Sequence, residues 1–190
     1  MSFCPSTDDE PRPVGRYLKM RENGIWTLRV LTPFLAYDMA FLANKPVRRE
    51  PGYEGWRAGV DYDAEDKFGP QSPRRAWACA AWVDNFKPDI GNGRYGLAQR
   101  VCAVQVAEFA QASIRQWFSK TTSKADWSDP RTYDVTIARS IGKNGKVQYD
   151  LDKELPKPLI EDAVREWDVL TSFDGFDINR LLTGGDPFKP

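Results

Sequence analysis

Apolar side chains recur at every second position in several short stretches of this chain, and a helical period replaces that alternation only twice. In Ile25-Trp26-Thr27-Leu28-Arg29-Val30-Leu31, Trp26, Leu28 and Val30 share one face while Thr27 and Arg29 share the other. Leu35, Tyr37, Met39 and Phe41 alternate next, then Tyr133, Val135 and Ile137, then Val147, Tyr149 and Leu151. Pro33 ends the first run, Asn44-Lys45-Pro46 turns the second, and Asn144-Gly145 marks a tight hairpin because both residues tolerate positive φ. Residues 76–83 (AWACAAWV) read as a small-residue strand. A loop over 85–93 and a long return strand over 95–109 follow.

The period lengthens at Ile114, Trp117 and Phe118, which fall on one face of a short helix. It does so again after Pro156 and Pro158, where Leu159, Ile160, Ala163, Val164 and Trp167 form an apolar stripe. A helix between the third and fourth strands of a small antiparallel set predicts an all-β OB-fold with peripheral helices. That fold is a five-stranded barrel, here with a C-terminal helix added. The expected organisation is a flexible arm at 1–13, the barrel at 14–155, a helix at 156–170 and an acidic, aromatic tail at 171–190. Residues 50–73, with four Gly, three Pro and six acidic residues, read as a long insertion with little regular structure.

Composition narrows the chemistry. The chain has no histidine, which removes histidine acid–base catalysis and histidine metal ligation. Three scattered cysteines make neither a disulfide framework nor a zinc site. No cofactor, no metal and no catalytic residues are expected. The N-terminus is polar and acidic, unlike a signal peptide, and no apolar run is long enough to span a membrane, so a cytoplasmic location is expected, in a host cell if the protein is viral. Net charge is zero, yet 11–50 carries eight basic and three acidic residues and 71–149 carries twelve and six. A basic body between acidic ends suits a polyanion-binding domain.

Several blocks, in order, resemble the OB-fold single-stranded-DNA-binding (helix-destabilising) proteins of tailed bacteriophages. They are Tyr17-Leu18-Lys19, Thr27-Leu28-Arg29-Val30-Leu31-Thr32-Pro33, Lys45-Pro46-Val47-Arg48-Arg49, and Trp77-Ala78 to Trp82-Val83. Val104-Gln105-Val106-Ala107-Glu108-Phe109 leads to Gln111–Ile114, and Asp126-Trp127-Ser128-Asp129-Pro130 to Tyr133-Asp134-Val135-Thr136-Ile137. The resemblance spans about residues 14–155 and implies a non-enzymatic protein that protects and presents single-stranded DNA in phage replication, recombination or repair.

Such a protein needs cations for phosphates and flat rings for bases. The phosphate candidates are Arg29, Arg48, Arg49, Arg74, Arg75, Lys87, Arg94 and Arg100, with the two arginine pairs bracketing the insertion, which reads as a flap over the groove. The stacking candidates are Trp77, Trp82, Phe86 and Tyr95, with Tyr37, Phe41 and Trp56 behind them. Trp77 and Trp82 are five apart, so one is expected in the core and the other in the groove. Trp26, Trp117 and Trp167 sit on apolar stripes and are expected in the core. Asp186-Pro187-Phe188 is similar to the acidic-Pro-Phe tip that bacterial single-stranded-DNA-binding proteins offer to replication partners. Alternatives are a magnesium-dependent nuclease using Asp61, Asp63, Glu65 and Asp66, an adaptor binding proteins through its aromatic surface, and an RNA binder.

Overall fold

The computed structural model describes residues 16–66, 69–91, 94–95, 102–119 and 128–189, with the backbone alone described at 66, 85–91 and 94–95. Its strands are β1 (Gly24–Val30), β2 (Leu35–Leu42), β3 (Lys45–Arg49), β4 (Glu65–Asp66), β5 (Gly69–Pro70), β6 (Arg74–Gly91), β7 (Arg94–Tyr95), β8 (Ala103–Ala110), β9 (Asp134–Ile141) and β10 (Val147–Lys153). Two α-helices, α1 (Gln111–Ser119) and α2 (Glu161–Ser172), and a 3-10 helix at Ile178–Thr183 complete the fold. No described helix is long and apolar enough to cross a membrane.

β6 organises the antiparallel sheet. One edge pairs with β8, from Ala76↔Ala110 to Val83↔Ala103. The other edge takes β2 along its first part and β1 along its later part. Between the register pairs Val30↔Ala81 and Leu35↔Ala78, four residues, 31–34, face two. Pro33 has no N–H to offer the ladder there. The neighbours compensate: Leu31 donates its N–H to the Ala80 carbonyl at 2.8 Å, and the Thr32 hydroxyl accepts the Ala80 N–H at 2.9 Å. This irregularity divides one continuous run along β6 into two strands. β9 then pairs with the free edge of β1, β10 with β9, and β3 with β2.

The result is an open sheet, and the expected closed five-stranded barrel is not formed. Among the described residues no ladder joins β8 to β10. Helix α1 instead touches β6, β8 and β10. It buries Ile114 and Trp117, and the Trp117 indole donates to the Tyr133 hydroxyl at 3.1 Å.

The small-residue run in β6 has a physical cause. Cys79, Ala81 and Val83 enter one core with Leu28, Val30, Phe109, Trp117, Ile137 and Leu151. Ala76 and Ala78, on the opposite face, meet Tyr37, Met39, Val106 and Leu181, while Ala80 and Trp82 meet Val104, Ala163 and Leu170. A strand covered on both faces reads as continuous apolar sequence rather than alternation.

Two segments differ from the sequence expectation, while the insertion, expected to have little regular structure, holds no ladder longer than the two-residue β4–β5 pair among its described residues. The backbone at 85–91 is strand, not loop, and pairs with β1 and β7. The segment after α2 packs as part of the fold: Phe176, Ile178, Leu182 and Phe188 lie on the β2–β6–β8 face around buried Leu181. The expected hairpin forms, with Gly145 at φ 73° and its N–H bonded to the Gly142 carbonyl.

Candidate nucleic-acid interface

Residues distant in sequence meet where β3, β2 and β6 lie side by side. Met39 stands in register between Arg48 and Arg74, and Asp38 between Arg49 and Arg75. Adjacent strands are about 4.8 Å apart, so each row spans roughly 10 Å. The two rows face opposite sides of the sheet: Arg48 and Arg74 share the face of Met39, while Arg49 and Arg75 share the face of Asp38.

The four guanidinium groups have unequal surroundings. Arg74 is exposed, lies 6.0 Å from the Phe41 ring centroid and forms no ion pair with any described residue. Arg75 donates from Nε to Asp38 Oδ1 at 2.6 Å, with 36% of its side chain exposed. The other oxygen of Asp38 accepts the Gly52 N–H at 2.6 Å. Partial burial opposes ionisation of Asp38, but the Arg75 and Gly52 bonds outweigh it and hold the carboxyl below its ordinary range. Arg49 lies across the Tyr53 and Trp56 rings and 3.7 Å from Asp61. Arg48 is only 10% exposed and ion-paired with Glu108, beneath the outer layer and not available to a phosphate chain.

A cleft of about 410 Å³ adjoins Arg74 and Arg75. Its apolar wall includes Met20, Met39, Phe109, Ile137, Tyr149 and Leu151, with Glu108 and Ser113 as polar members. It lies between the β8–α1 junction and β10. A cleft of this size with an apolar wall and cationic rim suits a flat, anion-bearing ligand.

No family model, curated protein or solved structure matches the chain.

The remaining expected site residues fall into three groups. Arg29 and Tyr37 are structural. Arg29 is 3% exposed and bonded to Asp134, so burial removes it from any phosphate path. Tyr37 is fully buried, with Arg48 5.7 Å from its ring. Burial, reinforced by the Glu108 carboxylate, pushes its hydroxyl well above the usual range and keeps it protonated. Trp77 and Trp82 do point to opposite faces, but both faces are covered. Trp77 is half-buried against the inner core. Trp82 is buried under the α2 layer, and its indole N–H finds no acceptor among the described residues. Neither offers an open stacking face as expected.

Phe86 and Lys87 pair through their backbones with Trp26 and Ile25, while Arg94 and Tyr95 form the return strand of the same hairpin. Arg100 lies outside the described residues. In the C-terminal segment, Asp186 accepts the Phe188 N–H at 3.1 Å, Pro187 is buried, and Phe188 packs against Phe176 under the Arg16 guanidinium. The Asp186-Pro187-Phe188 motif is packed into the fold, so it does not extend as a free docking tip.

Among the described residues no group of three or more potential ligands is placed to hold a metal ion. Asp61 and Asp63 make local bonds, to the Arg57 N–H and the Ala43 N–H respectively. Sequence reasoning did not single out Met20, Met39 and Tyr149, which line the cleft. Alternation placed Met39 and Tyr149 in strands, but gave no sign of the gap between two sheet edges that they line.

Proposed function

We propose that this protein binds single-stranded DNA without sequence preference, along the arginine rows beside the cleft, and catalyses no reaction. The observation that carries the reading is the alignment of Arg49 with Arg75 across β2 on one face, with Arg74 and Arg75 both lining an apolar cleft. Cations there would hold phosphates, while the apolar wall and Tyr149 would receive base faces. The strand succession supports it too. β1 pairs with β6 and β9, β6 with β8, and β9 with β10, and α1 lies between β8 and β9. That is the order of an OB-fold with one seam unzipped, and it agrees with the sequence resemblance to phage helix-destabilising proteins. The β6–β7 hairpin, which carries Phe86, Lys87, Arg94 and Tyr95, extends the proposed interface.

The test is a titration of the full chain with fluorescent oligo-dT at two salt concentrations, with duplex DNA of equal length as control. Oligo-dT is expected to bind more tightly than duplex and to remain intact in magnesium. Replacing Arg74 and Arg75 together by Ala is expected to weaken binding. It is also expected to flatten the plot of log affinity against log salt by up to about 1.4, roughly 0.7 for each phosphate no longer neutralised. Equal binding of duplex, or an unchanged slope in the double variant, would refute the proposal.

A further inference from the structure

The insertion offers Arg49 the two kinds of partner that a nucleotide would offer. Two ring faces flank the guanidinium, with its carbon 5.8 Å from the Tyr53 centroid and 5.9 Å from that of Trp56. A carboxylate completes the set, with Asp61 Oδ1 3.7 Å from Arg49 Nη2. The rings support one another edge to face, Tyr53 on Trp56 and Trp56 on Tyr62. Gly55 makes room for this arrangement: a Cβ there would stand 2.5 Å from the Tyr53 hydroxyl oxygen.

The loop is anchored at its base. Asp38 accepts the Gly52 N–H, and Asp63 donates its own N–H to the Phe41 carbonyl while its carboxylate accepts from Ala43. Arg49 and Tyr53 are close to solvent, 37% and 42% exposed, while Asp61 is 12% exposed. Interactions of this kind are individually weak and exchangeable. From Glu50 to Asp66 the chain holds six acidic residues and a single basic one, so the loop also repels a polyanion.

We propose that the insertion is a cis-acting nucleotide mimic: it occupies the Arg49 subsite of the interface, and single-stranded DNA must displace it. The inference rests on the single-stranded-DNA reading and predicts an effect opposite to that of removing a ligand-binding group. Asp61→Asn removes the competing charge but keeps an oxygen for the Arg57 N–H, which now bonds Asp61 at 3.0 Å. Its affinity for oligo-dT is expected to rise between about 1.5- and 5-fold, the range measured for solvent-accessible ion pairs. The salt dependence is expected to steepen by roughly 0.7, as Arg49 becomes available to one further phosphate.

Tyr53→Ala trims an exposed ring and is expected to tighten binding as well. Arg49→Ala is expected to weaken binding more in the Asp61→Asn background than in the wild type, because there the arginine is free. Affinity unchanged or lowered in both Asp61→Asn and Tyr53→Ala, with the wild type binding normally, overturns the mimic and leaves the DNA-binding reading standing. A wild-type chain that does not bind oligo-dT defeats both.

Discussion

Arg29 shows how one side chain can join three segments. It faces Asp134 in the β1–β9 register, and its Nε donates to Asp134 Oδ1 at 2.6 Å. Its Nη1 reaches the Lys157 carbonyl at 3.0 Å, and Lys157 returns an ammonium to the second oxygen of Asp134 at 2.9 Å. The chain entering α2 is therefore tied to the C-terminal end of β1. A buried ion pair adds little over an apolar substitute, but removing one partner strands the other. Arg29→Ala is expected to destabilise the fold by about 3 kcal/mol, the lower end for a broken buried pair, because Lys157 still partners Asp134. Urea unfolding measures this loss, and oligo-dT affinity under folding conditions is expected to stay unchanged. A stable variant with lost affinity would instead put Arg29 on the interface. The alternation of Trp26, Leu28 and Val30 correctly gives the two faces of β1, yet a strand pattern carries no information about what covers the polar face. Arg29 looked exposed because its cover comes from residues more than a hundred positions away.

At the level of elements, the covered second face of β6 explains the role of the C-terminal segment. Phe176, Leu181 and Phe188 lie on the β2–β6–β8 layer, and Asp177 caps the 3-10 helix by accepting the Asn179 N–H. Leu181 is 1% exposed, so Leu181→Ala is expected to cost about 2–5 kcal/mol, the usual range for a truncated core leucine. A denaturation midpoint close to that of the wild type would show that this segment does not hold the sheet. The principal strands and both helices were legible because periodicity records a face turned to a core. The segment after α2 has no period, since irregular backbone places its apolar groups wherever the sheet has room, and so it looked like a tail. A signal was present nonetheless: an eight-residue apolar strand at 76–83 demands a second cover, and the C-terminal segment holds unassigned aromatics. For the site, the sequence singled out the arginine pairs. It could not separate exposed Arg74 from buried Arg48, because that difference depends on Glu108 across the sheet.

For the whole molecule, the absence of histidine combines with the placement of the other titrating groups to define a pH profile. The carboxyls of Asp38, Asp129 and Asp177 lie below their ordinary range in the folded state. Arg75 and the Gly52 N–H outweigh burial at Asp38, Arg131 holds Asp129, and the Asn179 N–H holds Asp177. A carboxyl lowered on folding stabilises the native state above its unfolded pKa, and this contribution fades as pH falls through the folded value. The loss therefore begins below about pH 4, where unfolded carboxyls take up protons. Burial raises the Tyr37 hydroxyl and the Cys79 thiol, and these contribute in the opposite direction. Their stabilisation is complete below the unfolded values and declines as pH rises past about 8.5 for a thiol and 10 for a phenol. Between these limits no side chain of this protein has an ordinary pKa near neutrality. The urea midpoint is expected to hold a plateau from about pH 5 to 8, falling on both sides. Oligo-dT affinity at constant salt is expected to follow the same plateau, because guanidinium groups in general hold their charge far beyond this range. A midpoint that changes steeply between about pH 5.5 and 7.5 would mean that a group with a strongly displaced pKa links protonation to folding, and this account of the charges would fail.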